Sequence, residues 1–121
     1  MMMFLLPIAV ASSTADFDAA NLAFTQCLFA TSRAANEARL SLSAFEERLG
    51  TVCQREQSVL ERLTAKDLAS KGDPGAAATA RQLSTEARQQ VVESYRQLLQ
   101  LRPQLEQIAA MCNAHPEQCR N

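Results

Sequence analysis

The sequence predicts an all-α fold, and three observations point to it. Of the 121 residues only three are glycine and one is tyrosine, and tryptophan is absent. Ala, Leu, Gln, Glu and Arg are abundant, and these side chains lose little entropy in a helix. Apolar residues recur at alternating steps of three and four, as in helical bundles and coiled coils. A chain of this length forms one domain around a single core.

The first helix is predicted over residues 17–38, with Asp16 as its N-cap. One face of this helix carries Phe17, Ala20, Phe24, Cys27, Thr31, Ala34 and Ala38. Leu22 and Phe29 lie seven residues apart on the opposite side. Either another helix buries these two side chains, or they form a partner-binding face, and the sequence favours neither alternative.

The second helix is predicted over residues 43–70, where Ser43 and Glu46 form a capping box. Its apolar positions are Phe45, Leu49, Val52, Val59 and Leu63. Glu56 interrupts this stripe and is the best carboxylate candidate for catalysis, although a place at the solvent edge explains it better. The segment "KGDPG" ends the helix at Gly72 and starts the next at Asp73 and Pro74.

The third helix is predicted over residues 75–113 and is either kinked or broken at Pro103. A continuous helix is favoured, because Arg102 is a poor N-cap and the apolar core stripe passes Pro103 without a change of phase. On either side of Pro103 this core stripe includes Leu98, Leu101, Leu105 and Ile108. Three helices joined by short connections predict a small antiparallel three-helix bundle.

The first fifteen residues, "MMMFLLPIAVASSTA", predict a signal peptide over residues 1–15, followed by a single helical domain over residues 16–121. The segment has an apolar run and then small residues, with no charged side chain. A spanning helix needs roughly 20 apolar residues, and this run is about half as long. We therefore expect a protein of the periplasm or the extracellular space.

Four cysteines in an exported chain predict two disulfides. If the first two helices fold back near residue 40, Cys27 and Cys53 lie at the same level. Cys112 then lies roughly 25 Å further along the bundle, beyond disulfide reach of that pair. Cys112 is therefore expected to pair with Cys119, which closes the segment "CNAHPEQC" on itself.

The alternative for the same segment is a soft-metal site. Met111, Cys112, His115 and Cys119 provide thioether, thiolate and imidazole ligands that suit Cu(I) or Zn(II). Export disfavours this site, because exported thiols tend to oxidise. The chain has neither the CXXCH pattern of haem attachment nor a CXXC redox pair, and no cofactor is expected.

Composition also narrows the kind of function. Lys and Arg number 12 against 13 Asp and Glu, so no bulk charge attracts nucleic acid or an anionic membrane. The sequence has no nucleophile elbow, phosphate loop or HExxH pattern. We therefore expect a non-enzymatic protein that binds another protein or itself.

The segments "FTQCLFATSRAA" and "RLGTVCQRE" resemble those of small exported Ala- and Arg-rich helical proteins of bacteria, which are uncharacterised and carry paired cysteines on two helices. The resemblance covers roughly residues 17–56 and implies no activity and no site residues.

Signal removal is directly measurable. We expect the exported protein to start near Asp16, because Ala11 and Ala15 are the small residues that a signal peptidase prefers at its cleavage site. Intact mass spectrometry after export identifies the first residue. A protein that retains residues 1–15 would contradict the prediction.

Overall fold

The described part of the chain, residues 5–120, folds into four α-helices and one short 3₁₀ turn. The structure, a computed structural model, describes the backbone of residues 5–120 and the side chains of residues 15–120. The helices are α1 (Leu5–Glu37), α2 (Leu42–Leu49), α3 (Gln54–Ser70) and α4 (Ala76–Ala114), and the 3₁₀ turn is Pro116–Cys119. The predicted all-helical class is thus confirmed, and the described residues contain no strand.

Helix α1 starts earlier than predicted. Asp16, the expected N-cap, lies inside the helix, which includes backbone from Leu5 onward. The proposed signal peptide overlaps this part of α1, and its residues 1–4 lie outside the described residues. The sequence suggested Asp16 because it directly precedes Phe17, the first residue of the predicted apolar face, but a cap forms only where the helix begins.

The buried face of α1 is rotated slightly from the predicted one. Ala20, Phe24, Leu28 and Ala35 are buried, whereas Ala34 and Ala38 are exposed. Periodicity alone cannot resolve this rotation, because neighbouring helical faces share positions three and four residues apart.

The main correction concerns the predicted second helix, which is interrupted between Leu49 and Gln54. Helix α2 is capped by Ser41, whose side chain accepts a hydrogen bond from the Ala44 amide, so the predicted capping box at Ser43 is wrong by two residues. The interruption falls at Gly50, Thr51 and Val52, which are weak helix formers. Cys53 adopts a left-handed backbone conformation with φ 64° immediately before α3.

The connection between α3 and α4 is the turn that the sequence predicts. Gly72 adopts φ 89°, a conformation that glycine enters without steric penalty. The Asp73 side chain accepts a hydrogen bond from the Gly75 amide at 2.8 Å. Helix α4 then begins at Ala76, one residue later than predicted.

Helix α4 continues through Pro103, so the favoured alternative of an unbroken helix is confirmed. Its buried residues include Ala80, Ser84, Val91 and Tyr95. From residue 103 to residue 111 every side chain is exposed. The segment of α4 from residue 103 to residue 111 therefore lies outside the core.

Tyr95 joins α4 to the corner between α1 and α2. Its ring is 1% exposed and stacks on Phe45 with ring centroids 4.2 Å apart. Its hydroxyl donates a hydrogen bond to the Leu40 carbonyl oxygen at 2.7 Å. The side chain thus combines a large apolar contact with a satisfied polar atom.

Both cysteine pairs are joined as the sequence predicts. Cys27 of α1 bonds to Cys53 with the Cα atoms 5.8 Å apart, and Cys112 bonds to Cys119 with the Cα atoms 5.6 Å apart. The first disulfide links α1 to the interrupted segment and lies beside the core. The second closes the exposed end of α4 on itself.

The two disulfides should differ in their effect on stability. We expect the double substitution Cys27→Ala and Cys53→Ala to lower the free energy of unfolding by about 3 kcal/mol, because that bond closes a long loop of the unfolded chain. The pair Cys112→Ala and Cys119→Ala should change it by less than about 1 kcal/mol, since that tail can fray without exposing the core. Urea unfolding followed by far-UV circular dichroism measures both effects, and equal losses would contradict the prediction.

Candidate functional site

The segment "CNAHPEQC" forms a closed loop at the carboxyl end of α4. Its two cysteines are disulfide-bonded, so neither provides a thiolate. His115 Nδ1 lies 3.6 Å from Glu117 Oε1, and both side chains are exposed. Within residues 5–120, no three His, Cys, Asp or Glu side chains cluster as metal ligands. A metal on Met111, Cys112, His115 and Cys119 would first require reduction of the disulfide.

Leu22 and Phe29, the predicted partner-binding residues, are both 55% exposed on α1. Their seven-residue spacing corresponds to two helical turns, so they lie on the same side of the helix. Neither belongs to the buried core. The sequence left open whether another helix buries these side chains or whether they are free to contact a partner. In the structure they are exposed.

Phe29 lines an open groove between α1 and α4. The groove has a volume of about 600 Å³. Its apolar lining comes from Phe29, Ala30 and the half-buried Leu98 of α4. Its polar lining residues are Gln26, Ser32, Arg33 and Asn36. A mixture of apolar and polar residues is the usual composition of a protein-binding surface.

Helix α4 extends this apolar surface beyond the groove. Leu101, Leu105 and Ile108 are each about half exposed, and we call these three residues the α4 stripe. They follow Leu98 at steps of three, four and three, which keeps all of them on one side of the helix. The sequence included these positions in the core of a bundle, but the structure leaves them uncovered.

The neighbouring side of α4 is attached to the end of α1. Arg102 donates a hydrogen bond to the Asn36 side-chain oxygen at 2.7 Å. Arg39 forms an ion pair with Glu106 at 2.6 Å. These polar contacts fix the orientation of α4, and the α4 stripe lies about a quarter-turn around the helix from them.

Sequence reasoning missed Arg88, whose side chain donates hydrogen bonds to the interrupted segment between α2 and α3. Its guanidinium donates hydrogen bonds to the carbonyl oxygens of Leu49 and Val52 and to the Gln57 side chain. The same group lies 5.6 Å from the centre of the Phe24 ring, a cation–π distance. Burial lowers the pKa of Arg88, and the nearby Glu61 carboxylate opposes this shift. Arginine nevertheless stays charged throughout the physiological range.

Other backbone groups at this interruption are also satisfied locally. The Thr51 hydroxyl donates to the Arg48 carbonyl oxygen at 2.9 Å, and the Gln54 side chain donates to the Gly50 carbonyl oxygen at 3.1 Å. An interrupted helix leaves carbonyl oxygens without intrahelical partners. Side-chain donors replace the missing backbone donors here. Arg88 is the donor that lies furthest away in the sequence.

Ser84 and Glu61 continue this buried polar network. The Ser84 hydroxyl donates to Glu61 Oε1 at 2.5 Å, and the Gln57 amide donates to the same oxygen at 2.8 Å. Ser84 is only 3% exposed. Among the described side chains, no buried nitrogen or oxygen atom lacks a hydrogen-bond partner. The network therefore explains how polar groups are accommodated beside the core, and Glu56 is half-buried outside it.

No signal in the sequence identified Arg88. It lies among the polar residues of "EARQQ", and an arginine there is usually solvent-exposed. Its role depends on carbonyl groups 36 and 39 residues away, which become free only because the second helix is interrupted.

The chain was also compared with known proteins. No protein-family model, no curated protein and no solved structure matches it.

Substitution of Arg88 tests its role at the interruption. We expect Arg88→Met to lower the free energy of unfolding by about 2 kcal/mol, because it leaves two carbonyl oxygens without a donor while retaining most of the side-chain volume. Arg96→Met is the matched control, since Arg96 pairs only with Glu93 at the surface. That change should cost less than about 0.5 kcal/mol.

Thermal and urea unfolding measure both variants. Equal losses of stability in Arg88→Met and Arg96→Met would show that the carbonyl contacts of Arg88 contribute nothing.

Proposed function

We propose that this chain is an exported, non-catalytic module that binds protein through the groove and apolar residues of α1 and α4. The observation that carries the proposal is the exposure of Leu22 and Phe29, each 55%, on one side of α1, where Phe29 also lines an open groove. Large apolar side chains grouped at a surface are typical of binding sites. The partner is either another protein or the chain itself.

The scaffold of this module is, in our proposal, an up-down-up bundle whose middle arm consists of α2 and α3. Residues near the start of α4, including Ala80 and Leu83, line a small cavity with Phe17 and Asn21 of α1. Further along, Arg102 reaches Asn36 near the end of α1. These two contacts support a common direction for α1 and α4, with α3 running against both.

Export to the periplasm or beyond the cell is the compartment that we propose. Two disulfides are typical of an oxidising environment. The apolar N-terminal run supports the same assignment. None of the helices in residues 5–120 combines the length and apolar character needed to cross a membrane.

A non-catalytic role is supported by the way in which polar groups are used. Glu61, Ser84, Gln57 and Arg88 bond to one another and to backbone atoms. Their hydrogen bonds are made within the fold, whereas the large apolar side chains of the α4 stripe are exposed. Binding to a protein uses exposed apolar side chains, whereas catalysis would require polar groups that face a substrate.

Site-specific photo-crosslinking tests the proposal. We expect the exported protein with benzoylphenylalanine at position 29 to form a discrete covalent adduct in the bacterial periplasm, because Phe29 lies at the groove. The same amino acid at position 47, an exposed site on α2, is the control and should give no such adduct. Mass spectrometry identifies the captured protein.

Two outcomes would contradict the proposal. One is the absence of an adduct from position 29, and the other is an identical set of adducts from positions 29 and 47. Alkylation of free thiols in the same sample reports on the metal alternative, since only reduced Cys112 and Cys119 could provide ligands.

A further inference from the structure

The α4 stripe has the spacing of a helix-pairing surface. Leu98, Leu101, Leu105, Ile108 and Cys112 follow one another at steps of three, four, three and four, which is the a and d pattern of a two-stranded coiled coil. At roughly 100° per residue, Pro103 lies on the far side of the helix from the stripe. Its ring therefore leaves the stripe free to contact another helix.

The positions that flank the stripe carry almost no charge. Gln97, Gln104 and Met111 lie along one edge, and Arg102 and Ala109 lie along the other. Arg102 is already bonded to Asn36, and the Glu106 carboxylate is paired with Arg39. Neutral flanks do not select a strongly charged partner. They do permit two identical surfaces to meet without strong like-charge repulsion.

The exposed area of the α4 stripe is too small to form a stable interface by itself. A half-exposed Leu or Ile offers roughly 100 Å² of surface, whereas a stable interface buries about 800 Å² on each partner. Three such residues give the stripe roughly 300 Å², so an interface of that size must also include the groove, where Phe29 is 55% exposed, and the polar residues around both surfaces. In a twofold dimer each copy contributes the same stripe and groove residues.

We propose that the partner is a second copy of this chain, and that two copies pair their α4 stripes in antiparallel orientation with the end of each α4 lying toward the groove of the other. This inference rests on the proposed function, because it identifies the partner of the same surface. When Leu105 of one copy lies opposite Ile108 of the other, Arg102 of the first copy lies near Ala109 of the second. The two Arg102 side chains then stay apart. The disulfide-closed tail of each α4 then points toward the groove beside Leu98 and Phe29.

The oligomeric state of the exported protein tests this inference. We expect sedimentation velocity to show a dimer that dissociates on dilution through the micromolar range. The double variant Leu105→Gln and Ile108→Gln should weaken dimerisation about 100-fold or more, because both copies lose two central apolar contacts. Its far-UV circular dichroism and melting temperature should stay close to those of the wild type, since neither side chain belongs to the core.

Two further variants complete the test. Gln100→Glu with Gln107→Glu changes exposed residues on the opposite side of the same helical segment, so this control should remain a dimer. Leu22→Gln with Phe29→Gln alters the exposed apolar side of α1, of which Phe29 lines the groove, and should also favour the monomer. If the α4 double variant misfolds, this second pair still tests the dimer, because it changes the other contacting surface.

The outcomes separate this inference from the proposed function. A wild-type protein that stays monomeric up to several hundred micromolar would overturn the dimer, as would a dimer that survives both apolar variants. If the adduct from position 29 then contains a different protein, the binding function stands and the choice of partner is wrong. If no adduct forms either, both proposals fail.

Discussion

The guanidinium of Arg88 holds the middle of this fold together. The chain between Leu49 and Gln54 leaves the helix, and buried carbonyl oxygens without donors would destabilise that turn. Arg88 reaches the carbonyl oxygens of Leu49 and Val52 from α4. A single side chain therefore joins α2, α3 and α4. The left-handed conformation of Cys53 and its bond to Cys27 connect α1 to the same point.

A second set of contacts holds the corner between α1 and α2. Tyr95 stacks on Phe45 and donates to the Leu40 carbonyl oxygen, so its ring and its hydroxyl both stabilise that corner. The core is therefore fixed at two levels of α4, by Arg88 and by Tyr95. Beyond Leu99, which packs against the core, α1 and α4 are joined by polar contacts, such as the ion pair between Arg39 and Glu106. The fold thus presents a helix end whose apolar stripe is not covered by any helix within the described residues.

The candidate site was only partly accessible to sequence reasoning. Seven-residue spacing was enough to place Leu22 and Phe29 on one side of α1, because helical periodicity is a local property. Their exposure was not predictable, since it depends on how far α4 lies from that side. The exposure of the α4 stripe was not predictable for the same reason. Its regular spacing predicted core positions, but within the described residues no other helix covers it, and the spacing became a surface feature.

The helical class, the turn at Gly72 and the two cysteine pairings could be predicted from the sequence. The first two follow from local backbone preference, and the pairings follow from distances along helices that were assumed to fold back near residue 40. Tertiary structure alone decided the interruption at Gly50, Thr51 and Val52 and the role of Arg88. Weak helix formers permit a break but do not require one. The break is stable here because a distant guanidinium replaces the lost hydrogen-bond donors, and that contact exists only after the helices have packed.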